Sequence, residues 1–430
     1  MTPRTGNDAN RSAILAHLGA AGPTSRAGLS RALGVSPALV TALVRGLVAD
    51  GLVAEGEHDR TLPGRPAKLL SLVGSSGAVV GVKLVADHVA IVEAAVDGTV
   101  VRSAIEPWRA SAPTAISELV RLLQAFIAGG SDGRLLGVGV GVPGQVAGRE
   151  RGTVTWPAVG WHGTELGESL SASLEIPVIV DNNVNALALA ERLFGHGRRF
   201  EDFLTITIGT GIGCAIVTGG AVQRGATGAA GEIGHFPIDD AADARRCECG
   251  NRGCLEAVIG QEALVATART AGALGPRQGI EALVRRADEG DEAAQRVFGE
   301  AGRTLGRTLA GLVNVIDPQA VVLTGEGMPG WGHWTFGFEP AFRAGLLPQR
   351  RELRVEIETW QEDRLAQGAA ALVLGTPFEA DAGTQSRRVR ARMAAAQPIQ
   401  AAAQRATTAA PAASRSAAPA PAAAPEAAAP

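Results

Sequence analysis

Between Gly231 and Glu256 the chain reads GEIGHFPIDDAADARRCECGNRGCLE, and three of its four cysteines, Cys247, Cys249 and Cys254, stand in this stretch. His235 lies 12 positions before the first of them. One imidazole nitrogen and three thiolates make up a tetrahedral set of the kind structural zinc sites use. Gly250 and Gly253 permit the tight turns through which three sulfurs from eight consecutive residues face one point. The alternative is a group of reduced, buried thiols, since free cysteine is often a small core residue. Clustering among charged and glycine residues favours zinc. A disulfide framework fits less well, because nothing in the sequence points to secretion.

The same stretch resembles the signature of the ROK family, bacterial sugar kinases and sugar-responsive repressors. The family pattern G-E-x-G-H, a spacer and C-x-C-G-x-x-G-C-x-E is filled here at every position, from Gly231 to His235 and from Cys247 to Glu256. The resemblance implies that His235, Cys247, Cys249 and Cys254 bind zinc. It also implies that Glu232, His235 and Glu256 line a sugar pocket beside the metal.

These groups need elements to hold them, and composition bounds what those are. At 430 residues, 46% hydrophobic and 19% charged, the chain has material for two or three domains with sizeable cores. A polar N-terminus and the lack of a long apolar run predict a cytoplasmic protein with no membrane span. The net charge of −3 hides an asymmetry: residues 1–70 carry +3 and the remainder −6. A basic N-terminal part is the kind that meets a polyanion.

Residues 1–75 read as a winged helix-turn-helix. Ile14, Leu15 and Leu18 mark a first helix, and Ser25 to Leu33 a second. Gly34 and Val35 form the turn, Ser36 is an N-cap, and Pro37 takes the first position of a third helix ending near Gly51. Two short strands, Leu52–Ala54 and Leu69–Leu72, follow around a polar wing. In such a domain the third helix enters the major groove, so Pro37, Ala38, Thr41 and Arg45 are the expected DNA contacts. Arg65, held between Gly64 and Pro66 in the wing, suits a narrow minor groove. The bland alternative is a helical interaction module with solvated arginines. The resemblance favours DNA, because ROK repressors carry such a domain and ROK kinases lack it.

Residues 76–376 read as two α/β lobes. Strands Ala78–Val85, Val89–Ala95 and Thr99–Ile105 open the first, followed by a helix from Thr114 to Ile127 and a strand Leu135–Val140. Strands Phe203–Ile208 and Gly213–Val217, with a Gly219-Gly220 hairpin, open the second. The fold class expected is α/β, a winged helix-turn-helix before a two-lobed actin-like (ribonuclease H-like) domain. In the family's kinases the first turn carries D-x-G-G-T, but Gly81 to His88 lacks the paired glycines and the threonine. Gly209-Thr210-Gly211-Ile212-Gly213 retains a second phosphate-type loop, which reads equally as a tight hairpin needing positive φ. Thr324 replaces a glycine in the turn that lies beside adenosine in the kinases.

A sugar kinase also needs a carboxylate to take the proton of the attacked hydroxyl. The family supplies it from E-N-D-x-N-A, and this chain reads Asp181-Asn182-Asn183-Val184-Asn185-Ala186. Asn183 therefore stands where the catalytic Asp belongs, and an amide cannot accept that proton. Asp181 reads as an N-cap or a surface charge. No catalytic residue is assigned; Asn182, Asn183, Glu232, His235 and Glu256 are the expected sugar contacts. Residues 377–430, rich in Ala and Pro, read as a disordered tail whose arginines are solvated.

The expected function is a zinc-containing, sugar-responsive regulator, a repressor of carbohydrate genes. Its expected partners are a double-stranded DNA operator and a sugar or sugar phosphate effector. It is expected to act as a homodimer or dimer of dimers. The rival reading is an ATP-dependent, hexokinase-like sugar kinase with a fused DNA-binding domain.

Overall fold

The computed structural model describes residues 10–11, 14–15, 17–18, 22–49, 51–59, 67–73, 77–130, 135–148, 151–358, 363–375 and 384–394. Arg65 and most of the wing lie outside the described residues.

In the N-terminal domain Ile14, Leu15 and Leu18 are helical and buried, at 0%, 6% and 3% exposure. β1 (Thr24–Ser25) leads into α1 (Arg26–Leu33), where Ser25 accepts from Gly28 N at 3.2 Å. Gly34, at φ +63, ends α1 in the left-handed region that favours glycine. α2 (Pro37–Ala49) begins at the expected cap, Ser36 Oγ accepting from Leu39 N at 3.2 Å. It buries Val40, Leu43, Val44 and Leu47 on one face. β2 (Val53–Asp59) and β3 (Ala67–Leu72) pair antiparallel, and β3 also pairs with β1. Both strands run longer than expected from their apolar residues, because the polar wing is held by ladder hydrogen bonds as well as by burial. Glu55 on β2 pairs with Lys68 on β3 and with Arg26 on α1, which fastens the wing to the helix.

The first lobe comprises β4 (Ala78–Leu84), β5 (His88–Ala95), β6 (Val100–Pro107), α3 (Ala115–Ala128) and β7 (Leu135–Val142). It continues with β8 (Gln145–Ala147), β9 (Thr153–Trp156), β10 (Trp161–Glu165), α4 (Leu166–Leu174), β11 (Val178–Asn182) and α5 (Asn183–Phe194). The second contains β12 (Phe203–Ile208), β13 (Ile212–Thr218), β14 (Ala221–Gln223), α6 (Leu255–Ile259), α7 (Gln261–Thr270), α8 (Ile280–Asp288) and α9 (Glu292–Ile316). It ends with β15 (Ala320–Thr324), α10 (Trp331–Gly345), β16 (Arg354–Ile357) and α11 (Asp363–Gly375).

The two main sheets share one topology. The first is ordered β11-β7-β4-β5-β6 and the second β16-β15-β12-β13-β14, an antiparallel meander extended by two parallel strands. The lobes also exchange helices. α5 leaves the first sheet to pack on β12 and β13, while α11 leaves the second to pack on β4 and β7. That approach is close: a Cβ on Gly81 or Gly139 would meet the carbonyls of Ala366 and Ala369 at 2.0 and 1.8 Å. The expected duplicated plan is therefore present, with a small third sheet, β8 to β10, added beside the first lobe. Trp161 packs edge-on against Trp108 and Trp156 beneath it.

The C-terminal reading needs correction. Inside the segment expected to be disordered, α12 (Thr384–Ala394) is a helix. Val389 is fully buried against Gly137, Arg392 Nε donates to Leu135 O at 2.9 Å, and Arg388 Nη1 donates to Ser171 Oγ at 3.0 Å. One apolar side chain and two arginines meet a prepared groove, which composition does not reveal.

Candidate functional site: a metal centre beside an interlobe cleft

The ligand atoms of His235, Cys247, Cys249 and Cys254 all lie within 4.8 Å of one another. His235 Nδ1 is 3.4 Å from Cys247 Sγ, and Cys249 Sγ is 3.7 Å from Cys254 Sγ. A tetrahedral ion with bonds of about 2.0–2.3 Å separates such ligands by about 3.5–3.8 Å, so the four residues can hold a metal ion. The glycines act as expected: Gly250 and Gly253 have φ of +94 and +68. Gly253 is also fixed by contact, since a Cβ there would meet Asp239 O at 1.7 Å. The fourth cysteine, Cys214, is apart from the cluster; burial pushes its thiol up to about 12, and it behaves as a small core residue.

With Nδ1 facing the sulfurs, His235 turns Nε2 outward, 3.7 Å from Glu232 Oε2. Burial raises the pKa of Glu232; the His235 charge opposes the rise and Glu256 adds to it. Glu256, the second residue of α6, accepts a hydrogen bond from Ile212 N at 3.0 Å. The cluster of Glu232, His235 and Glu256 is thus assembled by the metal loop on one side and the Gly209–Gly213 turn on the other.

That turn corrects one expectation. None of Gly209, Gly211 and Gly213 has a positive φ. Glycine is needed at two of them for close approach: a Cβ on Gly211 would come within 2.5 Å of Glu256 Oε2, and one on Gly213 within 2.5 Å of Val184 Cγ2. The turn is therefore where the second lobe's carboxylates meet the start of α5, and Asn183 is the first residue of that helix.

Asn182 spends its amide on structure. Its Oδ1 caps α5 by accepting from Val184 N at 2.8 Å, and its Nδ2 donates to Gly144 O at 2.8 Å. It fastens the Pro143–Gly144 turn between β7 and β8 to the helix start. Asp181, whose sequence position suits an N-cap or a surface charge, is neither. It is 4% exposed, accepts from Asn182 N at 2.8 Å and Asn185 Nδ2 at 3.0 Å, and pairs with Arg224 Nε at 2.6 Å. Sequence reasoning missed this pair because its partners stand 43 residues apart on different lobes. Asp181→Asn is expected to cost about 3 kcal/mol by removing the charge of one partner from a buried ion pair. Chemical denaturation of both proteins checks this, and equal stability would mean that Arg224 finds another partner.

In the N-terminal domain Pro37, Ala38, Thr41 and Arg45 are all exposed, outside the buried stripe of α2. Thr41 Oγ1 donates to Pro37 O at 2.8 Å. Among the described residues no single helix is long and apolar enough to cross a membrane.

The ROK family profile matches residues 80–375. The chain belongs to the ROK family. A MarR-family profile, a winged-helix type, matches residues 6–60. The chain is 27% identical over 374 residues to the xylose repressor of Caldicellulosiruptor bescii, covering 81% of this chain and 91% of that one. It is also 27% identical over 332 residues to the DNA-binding transcriptional dual regulator NagC of Escherichia coli, covering 74% and 80%. Among solved structures, a ROK transcriptional regulator homologous to E. coli MLC aligns with a TM-score of 0.73 at 25% identity, over 90% of this chain and 98% of that one. A ROK glucokinase from Streptomyces griseus, in complex with glucose and AMPPNP, aligns with a TM-score of 0.59 at 28% identity, over 68% and 98%.

Proposed function

We propose that this ROK protein is a sugar-responsive transcriptional repressor that binds duplex DNA through α2 and the wing and does not phosphorylate its sugar. One observation carries the reading. The regulator of known structure aligns over 90% of the chain and the glucokinase over 68%, and the difference includes the N-terminal winged helix. Pro37, Ala38, Thr41 and Arg45 face base edges in the major groove, and Arg65 enters the minor groove. Zinc is the ion held by His235, Cys247, Cys249 and Cys254, and it acts as a structural brace for the sugar-facing groups. Glu232, Glu256 and Nε2 of His235 bind the hydroxyls of a sugar, with Asn183 facing them from α5. Asn182 holds the loop around them.

Repression and release follow from population shift. Sugar in the cleft stabilises one lobe arrangement, and α5, whose first residue is at the site, passes its position to the segment after Phe194. There Arg198 lies against Gly22 of the DNA-binding domain, within 2.3 Å of where a Cβ would stand. A ligand shifts such an equilibrium only by its differential affinity for the two states. Two winged helices are needed for a two-fold operator, so the working unit is a homodimer in the cytoplasm.

The test is operator binding with and without a panel of sugars. Glu232→Gln and Glu256→Gln should each weaken sugar-induced release by about 1–3 kcal/mol and leave sugar-free DNA binding intact. A wild-type protein that binds no operator fragment, or one that no sugar releases, would overturn the reading.

A further inference from the structure

Among the described residues, ion pairs join the two lobes at Asp181–Arg224 and at Lys83–Glu326. Asp181–Arg224 is the buried one. In the second, Lys83 Nζ, near the end of β4, stands 3.3 Å from Glu326 Oε1, just beyond β15. The two residues are 243 positions apart. The lysine side chain is only 13% exposed, so its stem is covered and its charge is directed across the cleft instead of out to solvent.

Glu326 does more than pair. Its Oε2 accepts from Thr210 Oγ1 at 3.4 Å, and Gly209 lies against the same side chain. The turn so held is the one whose Ile212 N donates to Glu256 and whose Gly211 leaves room for that carboxylate. A continuous path therefore runs from Lys83 through Glu326 and the Gly209–Ile212 turn to Glu256. Lys83 lies in the Gly81–His88 segment and Glu326 two residues after Thr324, two stretches whose sequences depart from the pattern of the kinases.

We propose that Lys83 and Glu326 form an interlobe latch, holding the cleft closed and fixing the Gly209–Ile212 turn before any ligand arrives. Closure then needs no nucleotide bridging the lobes. The consequence for effector binding, a Glu256 already in place, rests on the sugar reading above. The latch itself does not.

Hydrogen exchange of the full-length, sugar-free protein tests it. Lys83→Glu or Glu326→Lys places like charges face to face, and amide exchange across Gly209–Ile212 should speed up by about tenfold as the turn opens locally. The double variant, with the charges swapped, should return to the wild-type rate. High salt should accelerate the wild type toward the single variants, because this pair is partly screened. If a reversal does not fold, Glu326→Gln removes the charge alone and is expected to show the same acceleration. Wild-type exchange in folded Glu326→Gln, or a swap that restores nothing, would overturn the latch. Adding sugar to the wild type separates the two claims: no protection around Glu256 with any sugar counts against the sugar reading, while the sugar-free rates still decide the latch.

Discussion

Cys249→Ser is expected to strip the protein of its metal and to lower its stability by more than about 4 kcal/mol, the range reached when a structural metal is lost. The choice of Cys249 makes the result decisive. It is the exposed member of the set, whereas Cys254 is buried. An exposed Cys→Ser change away from a metal alters stability by about 0.5 kcal/mol at most. A large loss can therefore come only through coordination, with the Gly250 and Gly253 turns left to hold three ligands in place unaided. Metal analysis of both purified proteins, with thermal melts, checks the prediction. Wild type should carry about one zinc per chain. Equal zinc in the two would remove Cys249 from the site, and zinc lost without a change in melting would make the metal dispensable to the fold.

Wild-type protein is expected to transfer no phosphate from ATP to any sugar in a panel of hexoses and pentoses. Loss of a general base alone lowers turnover by about 10²–10⁴-fold. Asn183 begins α5; on the proposed reading it stands where a kinase would carry its base, and its amide cannot take a proton. Asp181, two residues earlier, is spoken for by Arg224, Asn185 and the backbone of Asn182. Using it as a base would break a buried pair. Asn183→Asp restores the carboxylate but is expected to remain inactive, because the Gly81–His88 segment lacks the paired glycines and the threonine of the kinases' first phosphate turn. A coupled assay for ADP release measures both proteins. Turnover by the wild type at about 1–100 s⁻¹, the ordinary range for kinases, would sink the repressor-only reading.

Much of this was legible in the chain because it is local. The cysteines and the two glycines that turn the backbone between them fall within eight residues, and the cap-turn-cap order from Ser25 to Gly51 is set by neighbouring residues. The strands at Ala78, Val89 and Phe203 came from short-range apolar patterning, and the structure places all three close to where that patterning puts them. Local signals misled where one residue type serves two purposes. The Gly209–Gly213 glycines looked like turn formers and are spacers against Glu256 and Val184. Asn182, expected as a sugar contact, has a further task that spacing does not show: it caps α5 and holds Gly144 O.

The sequence by itself pointed to the His235, Cys247, Cys249 and Cys254 cluster and to the helix-turn-helix, which follow from spacing over a few turns of chain, and its resemblance to the family implied the duplicated α/β plan. Only the tertiary structure decided that Asp181 is a buried counter-ion to Arg224, that Lys83 reaches Glu326, and that α12 docks through Val389 on the first lobe. These depend on which distant elements the two sheets bring together. A charge 43 or 243 residues from its partner carries no periodic mark of the pairing, and only burial and direction, which are properties of the folded chain, distinguish it from a solvated surface group.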